Sequence, residues 1–200
     1  MALATAGSCA LVARPGPRAR ADIGALPAAR PTVSAPAPAP SAPPPARIRI
    51  SRIALSDPLV GLGVQQDGHL AAPQDPAQVG WWSDGPRPGD PGAAIVVGHV
   101  DSLTGPAAFY QVSSLRPGDP ITIDRTDGSH VTFTVKALRQ YDKDAFPDAE
   151  VYAPAGPPSL RLITCGGPYD HEHGGYRDNV VVYAALAAPR PPTVPTRSGN

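Results

Sequence analysis

Sulfur is scarce in this chain of 200 residues, with two cysteines and one methionine. Cys9 lies near the start and Cys165 far along the chain, so a disulfide framework is excluded and Cys165 is expected to have no partner within the chain. No apolar run approaches the roughly 20 residues that a membrane-spanning helix needs. Net charge is also missing, since 17 basic residues face 17 acidic ones. That balance hides a division of sign. Residues 1–49 hold six arginines against Asp22 alone, whereas 50–188 hold nine Lys or Arg against sixteen Asp or Glu. An acidic folded region without clustered Lys and Arg among aromatics cannot grip a phosphate backbone, which excludes nucleic acid as a partner.

Proline, by contrast, is abundant, and it is unevenly placed. Of 28 prolines, ten precede Arg47 and four follow Leu186. Residues 1–46 are therefore expected to be a disordered tail rich in Ala, Pro and Arg, 47–188 the folded domain, and 189–200 a second disordered end. The apolar stretch 1–13 lacks the basic start of a signal peptide. It reads either as an end without function or as the remainder of a membrane anchor that begins upstream, and membrane contact is expected only through such an anchor. The Ala-Pro alternation from Ala35 to Pro40 buries nothing and reads as an extended spacer.

Within the domain, apolar residues alternate with polar ones at the period of a strand. Arg47-Ile48-Arg49-Ile50 is the clearest case, and similar runs fall at 60–64, 69–71, 93–99, 121–125, 130–138, 160–165 and 179–186. Thr126-Asp127-Gly128 marks a hairpin, 105–115 a short helical turn, and Gly80-Trp81-Trp82 an aromatic pair anchored at the surface. About eight short strands with one or two helical turns predict an all-β fold, a barrel or a sandwich.

The run 160–165 ends in Cys165 followed by Gly166 and Gly167, which are expected to end the strand and leave the thiol at its exit. A nucleophile is well served there, although a buried structural cysteine fits the position equally well. A reactive thiol needs a proton partner. His99 closes the apolar run 94–98 at another strand exit and has a better platform than His171 or His173 in the loop after the cysteine, or His69 and His130 in strands. For the oxyanion of acyl transfer, Arg177 is preferred over Arg161. Arg161 shares the strand face of Cys165 but stands four residues away, about 13 Å. His171-Glu172-His173 invites a metal, yet no second ligand cluster accompanies it, so neither metal nor cofactor is expected. The glycines at 166, 167, 174 and 175 read as a mobile flap beside the thiol. The long segment before the catalytic strand carries Phe146 and Tyr152, which are expected to wall an apolar groove for an extended peptide.

Taken together these segments resemble the sortase family. Leu162-Ile163-Thr164-Cys165 is similar to its Thr-Leu-x-Thr-Cys signature, with Arg161 where the first threonine usually stands. Gly98-His99-Val100-Asp101 and Tyr176-Arg177-Asp178-Asn179 resemble its histidine and arginine segments. The likeness, from about Arg47 to Leu186, is greatest to the class F sortases of actinobacteria. It implies a closed eight-stranded β-barrel, an extracytoplasmic place in the cell envelope, and a cysteine transpeptidase. Such an enzyme cleaves a Leu-Pro-x-Thr-Gly-like sorting signal on surface proteins through a Cys165 thioester and passes the acyl group to a cell-wall amine or to water. Cys165, His99 and Arg177 are then catalytic, and Thr164 joins Phe146 and Tyr152 as substrate-binding.

Other thiol enzymes fit less well, because papain-like peptidases place the cysteine before the histidine and L,D-transpeptidases carry a Ser-His-Gly-Cys motif. The rival from another class is a non-catalytic β-domain that binds wall peptide or carbohydrate through Trp81, Trp82 and Tyr169.

Overall fold

A computed structural model describes residues 22–26, 41–66 and 68–188. The expected disordered ends fall partly outside these residues, as do Cys9, the apolar stretch 1–13 and the Ala-Pro alternation. In chain order the elements are β1 (Ile23–Gly24), β2 (Pro45–Ile50), β3 (Leu55–Leu62), β4 (Val79–Trp82), β5 (Ala93–Gly98), β6 (Asp101–Ser102), β7 (Gly105–Pro106), β8 (Pro120–Arg125), β9 (His130–Asp142), the one-turn helix α1 (Asp148–Val151), β10 (Ser159–Asp170) and β11 (Gly175–Leu186). Eight of them close a barrel in the order β9, β11, β10, β5, β4, β3, β2, β8 and back to β9. The all-β, closed eight-stranded barrel with a few short helical turns is therefore the fold. Most neighbours are antiparallel, but β3 with β4 and β5 with β10 run parallel.

Alternation along the strands produces two apolar layers. Ile48, Ile50, Val96, Phe133, Leu160, Leu162 and Val182 point into the barrel and are buried. Ala93, Ile95, Ala137, Ile163, Val181 and Tyr183 point outward from the same strands, where Val151 and the partly buried Phe146 and Tyr152 of the β9–β10 connection cover them. Each fully buried aliphatic or aromatic side chain contributes about 1.5–3 kcal/mol relative to exposure. The β9–β10 connection is thus held by a core of its own.

Four local readings change. The strand expected at 60–64 lies at Leu55–Leu62, and 69–71 contributes only an isolated bridge between Leu70 and Val64. Gly80-Trp81-Trp82 is no surface pair but part of β4, with Trp81 in the barrel interior and Trp82 half-buried outside. Gly166 and Gly167 do not end the strand. β10 continues to Asp170 as one arm of a hairpin with β11, its register shifting between Gly166 and Tyr169, so the expected flap is a β-hairpin.

The fourth concerns the stretch read as a tail, whose described residues, 22–26 and 41–46, both touch the barrel, with Pro45 already in β2 and paired with Arg125. Ser41 and the Ala42 amide bond Asp90 at 2.8 and 2.7 Å. Farther upstream, Ile23 and Gly24 pair with Leu138 and Ala137 of β9, beyond the point where β8 leaves that edge. Arg139 donates to both their carbonyls, at 3.0 and 2.9 Å. Gly24 has φ +78, and a Cβ there would lie 2.1 Å from the Lys136 carbonyl oxygen, so only glycine fits. Gly24→Ala should release this strand. Hydrogen exchange at residues 22–26 should become fast, and the barrel should lose about 1–2 kcal/mol, or a few degrees of melting temperature. An unchanged melting temperature with unchanged exchange would show that the segment does not dock.

Candidate active site

The outer face of the barrel presents its side chains in transverse rows. Ile95, Arg161 and Tyr183 stand level on β5, β10 and β11, and Val97, Ile163 and Val181 form the next row. The parallel register of β5 with β10, carried two residues past Val97 and Ile163, brings His99 level with Cys165. Cys165 in turn pairs with Asn179, and Asn179 with Tyr141. Side chains two apart share a face, so His99, Cys165, Asn179 and Tyr141 make a third row, and Arg177 lies one step farther along the same face of β11. Three separate stretches of sequence thus deliver a histidine, a thiol and a guanidinium to one end of one face.

His99 is fixed from two sides. Its backbone carbonyl accepts the Phe109 amide at 2.8 Å. Gly98 makes this possible, because a Cβ there would stand 2.7 Å from the Phe109 ring. Its Nε2 lies 2.8 Å from the Pro73 carbonyl oxygen. A carbonyl only accepts, so Nε2 carries the proton, and in the neutral ring Nδ1 is left as the base. Cys165 is half-buried and, among the described residues, forms no hydrogen bond or disulfide.

Arg177 is exposed and lines a cleft of about 430 Å³ with Asp142, Lys143, Asp144, Asp170, His173 and Tyr176. The His171-Glu172-His173 turn is occupied internally. His173 Nδ1 bonds Asp170 at 3.1 Å, which with the His173 and Glu172 amides holds the Asp170 carboxyl below its usual range. Tyr169 packs edge-on against both His171 and Tyr176. Among the described residues no three His, Cys, Asp or Glu side chains gather as a metal site.

The structure divides the expected substrate residues. Phe146 and Tyr152 reach the outer face in a chain of edge-on aromatic contacts, Tyr141 to Phe146 to Tyr152 to Trp82, with centroids 5.9–6.2 Å apart. Thr164 does not join them. It pairs with Val180 and is 4% exposed on the inward face, opposite to Cys165, so its side chain is removed from the substrate-binding set. Trp81 is buried as well and Trp82 is half-buried against the outer core, which takes Trp81 from the rival binding surface and leaves Trp82 only in part.

Sequence reasoning missed one pair. The Tyr176 hydroxyl donates a short hydrogen bond to Asp101, tying the β10–β11 hairpin to the segment after His99. Both residues lie inside the quoted histidine and arginine segments, one beside Arg177 and the other two after His99. The Asp101 carboxylate pushes the Tyr176 hydroxyl up to about 12. An unfolded tyrosine titrates near 10, so between about pH 10 and 12 the folded state holds more protons and stability falls as pH rises through that window. Tyr176→Phe should flatten this loss. Unfolding midpoints at about pH 9 and 11 should differ less for the variant than for the wild type, and equal differences would mean that the tie does not form.

Comparison with known proteins bears on the fold and the family. The sortase domain family model matches residues 48–187, which is most of the chain, and the chain belongs to the sortase family, whose members are cysteine transpeptidases of the cell envelope. Among curated proteins no sequence match is found. Solved structures similar to the chain include sortase A from Corynebacterium diphtheriae, with TM-score 0.54 and 21% identity over 75% of this chain and 63% of that one. Sortase C1 from Streptococcus agalactiae has TM-score 0.55 and 19% identity over 72% and 68%. Sortase C-1 from Actinomyces oris has TM-score 0.54 and 21% identity over 72% and 74%. The chain spans less than two thirds of the length of the diphtherial enzyme. Among the described residues no helix is long and apolar enough to cross a membrane.

Proposed function

We propose that this sortase, of class F, cleaves a Leu-Pro-x-Thr-Gly-like sorting signal of surface proteins outside the cytoplasm and joins the signal to a cell-wall amine, with water as the competing acceptor. The row of His99 and Cys165 on adjacent parallel strands, with Arg177 beyond them on the same face, carries the reading. The Cys165 thiolate attacks the carbonyl carbon of the scissile bond. Arg177 donates to the oxyanion or holds the peptide, and the tetrahedral adduct collapses to a Cys165 thioester as the leaving amine takes a proton from His99. The incoming amine or water then loses a proton to His99 as it attacks the thioester, which expels the Cys165 thiolate and leaves His99 protonated for the next cycle. Nδ1 is the nitrogen that suits this shuttle, because Nε2 stays on the Pro73 carbonyl. No step calls for a metal or cofactor. The peptide lies along the outer face under Phe146 and Tyr152. An extended peptide of four residues covers about 13 Å of that floor from Cys165.

Incubating the protein with sorting-signal peptides, with and without amine acceptors, and reading products by mass spectrometry tests the reaction. Wild type should show an acyl adduct on Cys165, and Cys165→Ala neither adduct nor product. His99→Ala should lower kcat by about 10²–10⁴, and Arg177→Lys by about 10²–10³, because lysine lacks the planar fork. Phe146→Ala and Tyr152→Ala should raise KM while leaving alkylation of Cys165 unchanged. Turnover kept by His99→Ala but lost by His171→Ala would transfer the proton shuttle to the hairpin.

A further inference from the structure

Two rows from Cys165, the outer face buries a cation that this chemistry does not use. Arg161 is 7% exposed. Its guanidinium lies over the Tyr183 ring, 4.4 Å from the centroid, and one of its terminal nitrogens donates to the Leu160 carbonyl at 3.2 Å. Nε is buried and, among the described residues, has no partner. A guanidinium so removed from water is costly unless negative charge stands near it. The stacked ring supplies part of that, through its negative face.

Further negative charge stands beyond the far edge of the same ring, on the exposed residue Glu150. The Tyr183 hydroxyl donates to Glu150 Oε1 at 3.1 Å, the Tyr141 hydroxyl reaches the same oxygen at 3.3 Å, and the two hydroxyls are 2.9 Å apart. Two hydroxyl protons thus converge on one carboxylate oxygen. Burial raises the pKa of both tyrosines, which keeps them protonated as donors. Glu150 belongs to α1, between Phe146 and Tyr152, and the next residue, Val151, is fully buried in the outer core. Tyr141 stands on the row of Cys165 and Tyr183 on the row of Arg161. The Arg161, Tyr183, Glu150 and Tyr141 chain therefore joins the floor at two rows to the one turn of helix that carries the aromatic wall.

We propose that Arg161, Tyr183, Tyr141 and Glu150 form a latch that sets the height of the Phe146 and Tyr152 wall above the strand of Cys165, making them positioning residues for peptide capture. The assignment rests on the reading of that face as the peptide site. Arg161, where the family signature usually has a threonine, supplies the charge that Glu150 answers across the tyrosine.

Charge-specific variants in the full chain test it. Glu150→Gln keeps the shape and an acceptor oxygen but removes the charge, and Tyr183→Phe keeps the ring under the guanidinium but removes the hydroxyl. In Glu150→Gln, KM for a Leu-Pro-x-Thr-Gly peptide should rise about tenfold with kcat within about twofold. Cys165 should react with iodoacetamide at the wild-type rate. Amide exchange should accelerate at 144–153 and stay slow at 160–165. Tyr183→Phe should behave alike. Adding Arg161→Met to Glu150→Gln should cost little more thermal stability than the worse single change, as expected of a coupled pair.

Unchanged exchange at 144–153 in Glu150→Gln would overturn the latch, as would unchanged KM, or a loss of protection spread evenly over the barrel. If wild type turned over no peptide, the proposed reaction would fail, and exchange and the thermal coupling would still decide on the latch. Should Arg161→Met not fold, exchange in Glu150→Gln and Tyr183→Phe decides alone.

Discussion

Everything at the proposed catalytic end depends on β5 and β10 lying parallel. Two antiparallel strands can be joined by a tight turn, but parallel neighbours need a crossover. The chain leaves β5 at Gly98 and does not return until Ser159. That excursion includes β8, β9 and the wall bearing Phe146 and Tyr152, so the pairing that sets His99 level with Cys165 also demands the chain that encloses them. A hairpin between the same two strands would have placed the histidine and the thiol at opposite ends.

The same strands serve two layers. Inward side chains make the barrel rigid, while outward ones form a floor whose polarity changes from row to row, from Arg161 and Tyr183 through Ile163 and Val181 to Cys165 and Asn179. Apolar packing alone would let the covering segment slide, because dispersion has little direction. Hydrogen bonds from Tyr141 and Tyr183 to Glu150 have direction, and at the other end of the segment the Ala93 amide bonds the Ala153 carbonyl and the Gly92 amide that of Gly156. The covering segment is fixed at both ends by polar contacts and filled between them by aromatic edges.

Much of this was legible from residue order. Alternation around Ile48 and Ile50 and through Leu160 to Cys165 marks one buried face, and His99 and Cys165 each follow an apolar run, which puts His99 at the exit of β5 and Cys165 inside β10, where the ladder runs on into the hairpin. Trp81 and Trp82 misled because both faces of β4 are covered, which erases the alternation that a half-exposed strand shows. Gly166 and Gly167 signalled a stop although cross-strand pairing with β11 carries the ladder past them. Period two already places Thr164 opposite to Cys165, so its inward side chain was legible and the signature obscured it. Ile23 and Gly24 left no local trace. A two-residue strand has no period, and what selects it is Arg139, 115 and 116 residues away along the chain.

The early attachment of Ile23 and Gly24 alters what the proline-rich stretch accomplishes. Its two flanks, at Gly24 on β9 and at Ala42 beside Asp90, are bound to one rigid body. The intervening residues therefore close a ring, and lengthening a ring costs only about 0.6 kcal/mol for each doubling. Inserting or deleting Ala-Pro units there would leave the barrel at the same distance from anything joined before Asp22. Standoff from a surface would be governed by the residues ahead of Asp22, and the chain between Gly24 and Ala42 would contribute no reach at all.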